Sequence, residues 1–220
     1  MLKRRQFIKA TLGVLGGAAV CLSPLASVVR GVLAKTGKIV LPRGTDRKTL
    51  VNKNPADLDT GNLETTPLKE FGVMGLSDHK ADLEKWRLKI GGAVKKPLEL
   101  SYEQILAMPP VERRVLLICP SIFVNHGEWK GVSMGHLLQE ARAENGVTHV
   151  TVRGPQGDYE KTERFPMEDV LSNRVFLAYR VNGESLPQKH GFPLRLVAEG
   201  YYGYDWIKYV DSLTAEKVTG

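Results

Sequence analysis

Val115-Leu-Leu-Ile-Cys119-Pro-Ser-Ile-Phe-Val-Asn-His-Gly-Glu-Trp129-Lys-Gly-Val132 is the stretch from which the rest of the chain is read. Val115 to Ile118 are four bulky apolar residues in a row, the pattern of a strand buried on both faces. The strand is expected to end on Cys119, because Pro120 has no N–H to give to a ladder. A polar, glycine-containing loop is expected after it. One thiol is thereby held at the end of stiff backbone, a better place for a ligand than a mobile loop. The bland alternative is an inert core thiol, since free cysteine is among the most buried residue types.

Cysteine usage favours the first reading. The chain has 220 residues and a net charge of +7. The excess sits at the start: residues 1–34 contain Lys3, Arg4, Arg5, Lys9 and Arg30 and no acid, and the remainder carries 26 basic against 24 acidic residues. No basic stripe with interleaved aromatics is left, which argues against nucleic-acid binding. Lys3-Arg4-Arg5-Gln6-Phe7-Ile8-Lys9, followed by an apolar run from Thr11 to Ala26, has the layout of an export signal. The paired arginines before Phe-Ile-Lys resemble a twin-arginine signal. Val32-Leu33-Ala34 offers a cleavage point after Ala34, and the alternative is an uncut membrane anchor. Export by that machinery implies a periplasmic or otherwise extracytoplasmic protein, delivered folded. Cys21 lies inside the signal, so the mature chain keeps Cys119 alone. A single thiol in an oxidising compartment is a hazard unless it is buried or ligated.

Residues 35–70 are polar and aperiodic, and read as an N-terminal arm that either wraps the domain or stays disordered. The domain proper is placed at 71–220. Trp86, Leu88 and Ile90 predict a half-buried strand ending at Gly91-Gly92, and Leu98 and Leu100 a short one. Ser101 with Gln104 forms a capping box for a helix that Pro109-Pro110 terminates. Ser133 caps a second helix, with Met134, Leu137, Leu138 and Ala141 on one stripe. Val150 and Val152 mark a strand, Pro166 opens a short helix through Leu171, and Val175 to Val181 is a strand closed by the Asn182-Gly183 turn. Pro193 to Val197 and a last strand holding Ile207, Tyr209 and Leu213 complete a strand-dominated chain without βαβ alternation. The fold class expected is mixed, β-rich α+β.

Several chemistries are excluded. There is no Gly-x-Gly-x-x-Gly, no Walker loop, no Cys-x-x-Cys(-His) and no nucleophile elbow. His79, His126, His136, His149 and His190 form no zinc-type pairs. Two stretches remain. One is the Cys119 segment with Asn125, His126 and Trp129. The other is residues 177–196 with 200–208, in which Arg195 interrupts an apolar strand. A cation there requires a partner or a polar cleft. Arginine and lysine together with glycine-loop N–H groups suit a phosphate clamp, against the alternative of a structural salt bridge for Arg195 and a solvated charge for Lys208.

Leu-Ala-Tyr-x-x-Asn-Gly-Glu-x-Leu-x-x-x-His-Gly-Phe-Pro-Leu-Arg-Leu at 177–196, followed by Gly-x-x-Gly-x-x-x-Ile-Lys at 200–208, resembles the molybdopterin domain of the sulfite oxidase family. Trp86-Arg-Leu-Lys-Ile-Gly-Gly and the Cys119…Trp129-x-Gly131-Val132 block resemble its earlier segments in the same order, over residues 62–213. The resemblance implies a sulfite-oxidase-type fold and a molybdenum cofactor with one pterin per metal. Cys119 would be the thiolate ligand to the metal and the catalytic centre. His190, Arg195, Trp206, Ile207 and Lys208 match the pterin-phosphate contacts, and Asp158 is the candidate for a further pterin contact. The family's Phe-x-Val-Arg-Asn-His becomes Phe71-Gly72-Val73-Met74-Gly75-Leu76 here, so Met74 stands where the family has its substrate arginine. The function implied is oxygen-atom transfer on a small oxyanion or an S- or N-oxide. Electrons would be exchanged with a separate b- or c-type cytochrome. The alternative is a non-catalytic binding or assembly module that keeps the fold, and a third reading is a redox protein using the Cys119 thiol alone.

Overall fold

The computed structural model describes residues 37–157 and 161–218, and from Lys38 onward the chain forms one compact unit. The twin-arginine stretch and Asp158 lie outside the described residues.

The arm runs over the domain as short 3-10 turns and two two-residue strands, β1 (Ile39–Val40) and β2 (Leu58–Asp59), paired in parallel. Leu41, Leu50, Leu58 and Leu63 bury themselves against Leu116 and Ile118. The run Val115–Ile118 is therefore covered on both faces, as its uninterrupted apolarity requires.

Strand β3 (Leu88–Gly92) is shorter than the alternation of Trp86, Leu88 and Ile90 suggests, because Trp86 precedes the ladder and packs edge-on to Tyr102. Strand β4 (Leu98–Leu100) leads into helix α1 (Tyr102–Leu106). Ser101 and Gln104 cap this helix reciprocally: the Gln104 N–H donates to Ser101 Oγ at 3.3 Å and the Ser101 N–H to Gln104 Oε1 at 2.8 Å. Strand β5 (Pro110–Cys119) ends at Cys119 as Pro120 dictates.

The polar stretch after Cys119, expected to be a loop, is a strand instead. Phe123–Val132 forms β6, paired antiparallel with β5 from Cys119↔Phe123 to Pro110↔Val132. The chain turns in three residues. Pro120 sits at the second turn position and Ser121, at φ 62°, at the third, while the Ile122 N–H donates to the Cys119 carbonyl at 3.0 Å. That is the signature of a type II turn. Polar residues hid the strand because its buried positions include Asn125, His126 and Gly127, each satisfied or packed by tertiary contacts that the local pattern does not reveal.

Helix α2 (Met134–Glu140) has Ser133 as its N-cap, and β7 (His149–Arg153) and β8 (Thr162–Pro166) precede α3 (Met167–Leu171). Strand β9 (Val175–Val181) turns through Asn182 and Gly183, both at positive φ, into β10 (Glu184–Ser185). Strand β11 is Arg195–Ala198, starting two residues later than expected, and pairs β9. Only Ser212–Glu216, β12, forms the last strand. Ile207 and Tyr209 lie before it in irregular backbone, where Tyr209 holds φ 57°.

Two five-stranded sheets result. One has the order β10-β9-β6-β5, with β11 also on β9, and the other β4-β3-β12-β7-β8. Between Lys130 and Gly131 the β6–β9 register slips, so that Tyr179 has no partner across the ladder. A Cβ at Gly131 would lie 1.8 Å from the Leu177 carbonyl oxygen, so glycine is needed for this close approach. The main core joins both sheets through Trp129, Leu177, Leu196, Leu213 and Val152.

Candidate active site

The end of β5, the loop at 72–76 and the segment 190–209 enclose a cleft of ≈ 360 Å³. Cys119, His190, Arg195, Trp206 and Lys208 all line it. Residues separated by up to 89 positions in the chain thus meet, the thiol from one hairpin and the bases from the glycine-rich segment. Ile207 does not join them: it is fully buried, and its carbonyl accepts from the Leu196 N–H at 2.8 Å. Of the Cys119 segment, Trp129 lies beneath the cleft and His126 points away, its Nδ1 3.2 Å from the Glu64 carbonyl and its backbone N–H bonded to Thr66 Oγ1 at 3.0 Å.

Arg195 is the deepest charge. It is 6% exposed, with its guanidinium 5.5 Å from the Trp129 ring and 5.3 Å from the Trp206 ring. One bond, from Nη1 to the His190 carbonyl at 3.0 Å, ties it down. Burial depresses its pKa to about 10. Burial, then repulsion from Arg195, brings Lys208 down to about 8, and Lys208 Nζ donates to the Leu76 carbonyl at 2.7 Å. His190 is held neutral, at about 4, by burial first and then by Arg195, Lys189 and Lys208.

Burial raises the Cys119 thiol, with Lys161 pulling the other way. Lys161, a cleft residue that the sequence pattern did not single out, donates from Nζ to the Trp206 carbonyl at 3.1 Å. Met74 covers the thiol, with its Sδ 3.6 Å from Cys119 Sγ. Asn125 fixes the loop that carries Met74: the Gly72 N–H donates to Asn125 Oδ1 at 3.0 Å and Asn125 Nδ2 donates to the Gly72 carbonyl at 3.1 Å. Phe123, Tyr204 and Tyr209 complete the walls. Their aromatic character was visible in the sequence, but only the fold brings them round the thiol.

The cleft calls for an anion. Lys161, His190, Arg195 and Lys208 line it without a lining carboxylate among the described residues. Arg195 Nε, Trp206 Nε1, His190 Nε2 and Tyr209 OH are buried with no hydrogen-bond partner. Buried polar groups are rarely left so unless a ligand completes them. A phosphate-bearing cofactor fits these donors, and a soft thiolate in the same cleft suits a soft, redox-active metal. Among the described residues no group of three His, Cys, Asp or Glu side chains could hold a metal by itself, so the remaining ligands would have to come with the cofactor.

Fold and cleft together describe a cofactor-dependent oxidoreductase domain. The oxidoreductase molybdopterin binding domain family matches residues 75–219, and the chain belongs to this family. It is 29% identical over 185 residues to the protein-methionine-sulfoxide reductase catalytic subunit MsrP of Gluconobacter oxydans, covering 70% of this chain and 58% of that protein. It is 30% identical over 150 residues to the uncharacterized oxidoreductase YuiH of Bacillus subtilis, covering 67% of this chain and 74% of that one. A plant NADH nitrate reductase, from Lotus japonicus, is 30% identical over 173 residues, but the match spans only 19% of its length. Among solved structures, the sulfane dehydrogenase SoxCD of Paracoccus pantotrophus superposes with a TM-score of 0.60 at 28% identity, over 64% of this chain and 40% of that one. The match thus spans less than two thirds of the methionine-sulfoxide reductase subunit, the nitrate reductase and SoxCD.

Proposed function

We propose that this protein is a molybdopterin-dependent oxidoreductase that takes an oxygen atom from a small neutral S- or N-oxide, using electrons from a separate cytochrome. The observation that carries the reading is a single cleft lined both by Cys119 with apolar walls and by orphaned donors with cations. Cys119 would hold the metal. Arg195, Lys208, His190 and Trp206 would hold the pterin phosphate, and Asp158 is proposed as a further pterin contact. When bound, the cofactor supplies a metal that exchanges an oxygen atom together with two electrons.

The chain's own residues do the rest. Lys161 places a positive charge near Cys119 and favours thiolate over thiol. Burial works against the free thiolate, so the anion is stabilised by ligation rather than by the empty protein. Met74, Phe123 and Tyr204 present uncharged surface where a substrate would enter. An oxyanion would find no cation on the 72–76 loop, whereas a neutral oxide would lay its alkyl groups on these walls. The similarity to a protein-methionine-sulfoxide reductase supports an S-oxide.

Residues 1–34 are proposed to direct folded export by the twin-arginine machinery, which places the enzyme in the periplasm. Among the described residues no helix is long and apolar enough to cross a membrane.

The test is metal analysis with dye-linked assays. Protein from a cofactor-competent host should hold about one molybdenum per chain and oxidise reduced viologen with dimethyl sulfoxide, and Cys119→Ser should lose that turnover. A folded, molybdenum-free product from such a host would refute the proposal and leave the binding-module reading.

A further inference from the structure

Met74 meets two conditions together. The residue is 55% exposed, so solvent oxidants reach it, while its Sδ is 3.6 Å from Cys119 Sγ. The other methionines among the described residues are better protected: Met108 and Met167 are half-buried and Met134 is buried. The loop beneath Met74 cannot drift far. The Asn125 amide grips it at Gly72, and Lys208 Nζ grips the Leu76 carbonyl. Between these anchors Met74 stays over the thiol, with Phe123 and Tyr204 among the neighbouring walls of the cleft. A methionine side chain is flexible enough to turn its sulfur without moving that backbone.

We propose that Met74 is a resident oxidisable sulfur whose sulfoxide the protein's own active centre reduces in place. The inference rests on the S-oxide reductase reading above. Oxidation adds one oxygen atom to the Met74 thioether and takes two electrons from it, and a hypochlorite oxidant leaves as chloride. Restoration takes two electrons from a low-potential one-electron carrier and two protons, breaks the sulfur–oxygen bond, and returns the thioether and one water. While oxidised, Met74 places its sulfoxide in the cleft beside Cys119. Turnover of an added oxide therefore starts only after Met74 has been restored, and the enzyme shows a lag after oxidant exposure.

The experiment treats the molybdenum-loaded protein with limited hypochlorite, removes the oxidant, adds reduced viologen, and follows Met74, Met108 and Met167 by peptide mass. The expected result is loss of the added oxygen from Met74 alone, with a first-order rate that does not change on dilution. The lag in dimethyl sulfoxide reduction should last as long as that loss. Folded protein from a cofactor-deficient host, and Cys119→Ser, should keep the oxygen on Met74, and Met74→Leu, whatever its steady rate, should reach that rate without a lag. Persistence of the Met74 oxygen while dimethyl sulfoxide is consumed would overturn the inference, as would a rate that scales with protein concentration. If the untreated enzyme reduces no dimethyl sulfoxide, the reductase reading itself fails, a result distinct from either of these.

Discussion

Arg195→Met, made in the cofactor-free protein, tests whether this arginine serves the fold or the ligand. The guanidinium is 6% exposed and its pKa is depressed to about 10 by burial. Converted at about 1.4 kcal/mol per tenfold change in proton affinity, the depression corresponds to a cost of about 3 kcal/mol for keeping the group charged. Against this stand one hydrogen bond to the His190 carbonyl, worth about 1 kcal/mol, and two indole contacts of about 1 kcal/mol each. Methionine fills a similar path between the two indoles, and its sulfur–aromatic contacts return about 1 kcal/mol. The balance favours the variant by about 1 kcal/mol, in line with the general behaviour of buried charges replaced by apolar groups. Urea denaturation of both cofactor-free proteins measures the difference. A pyrophosphate titration supplies the second half of the test: wild type should gain stability as the anion binds, and Arg195→Met should not. A variant that loses more than about 1 kcal/mol, or that keeps the wild-type pyrophosphate response, would show that Arg195 is a structural tie and refute the clamp.

Three further outcomes are expected from the same geometry. Asn125→Leu removes both bonds to Gly72 and should cost about 2 kcal/mol, and hydrogen exchange should show faster amide exchange at 72–76 than in wild type, with the core unchanged. Gly191→Ala places a Cβ 3.0 Å from Lys208 Cβ and 3.3 Å from Arg195 Cβ at a φ of +110°; it should lose about 2–4 kcal/mol in denaturant melts and much of its bound molybdenum. His190 is neutral when folded, with its pKa lowered to about 4, whereas the unfolded chain takes up the proton near the ordinary 6.5. The unfolded state therefore binds more protons in this window, and stability should fall as pH drops from 6.5 towards 4, by up to about 3 kcal/mol, with a flatter profile in His190→Gln.

Much of the fold is legible in the chain alone. Capping boxes, Asn-Gly turns and amphipathic stripes are local, so Ser101–Gln104, Ser133 and Asn182-Gly183 behave as their chemistry dictates. The second strand of the Cys119 hairpin was not legible. Its alternation is masked because Asn125 and His126 are buried to bond the arm and the 72–76 loop, contacts made across 53 to 62 residues. Ile207 and Tyr209 looked like strand residues because they are apolar, but they lie in irregular backbone before the last strand, Ile207 fully buried and Tyr209 in the cleft wall. Within the site, Cys119, His190, Arg195, Trp206, Ile207 and Lys208 could be named only from the resemblance of two motifs to the family's, and the fold brings all of them but Ile207 to one cleft. Lys161 could not, since one lysine among charged neighbours carries no local signal, and only the Trp206 carbonyl draws it into the cleft.

The distribution of unpaired groups bears on what the cleft is built to hold. Elsewhere the polar groups of the domain largely find partners: Asp169 takes Arg174 and Tyr201, Asn182 takes Thr66 and Glu128, and Arg113 takes Glu199. The cleft concentrates the exceptions: among the described residues four of the seven buried side-chain atoms without a hydrogen-bond partner are there, on His190, Arg195, Trp206 and Tyr209, and the other three are His126 Nε2, Asn173 Oδ1 and Glu199 Oε2, the last ion-paired to Arg113. Each such atom costs about 1–3 kcal/mol, so four of them weigh heavily against a net stability of about 5–15 kcal/mol for a domain. A chain that carries that deficit gains most from a ligand able to meet every donor at once, and a polyanion does so where water, binding one donor at a time, does not. A ligand that meets this deficit therefore adds to the stability of the folded state. If residues 1–34 direct export of folded protein, as proposed, that route would suit a domain whose fold gains stability from a cofactor inserted before export.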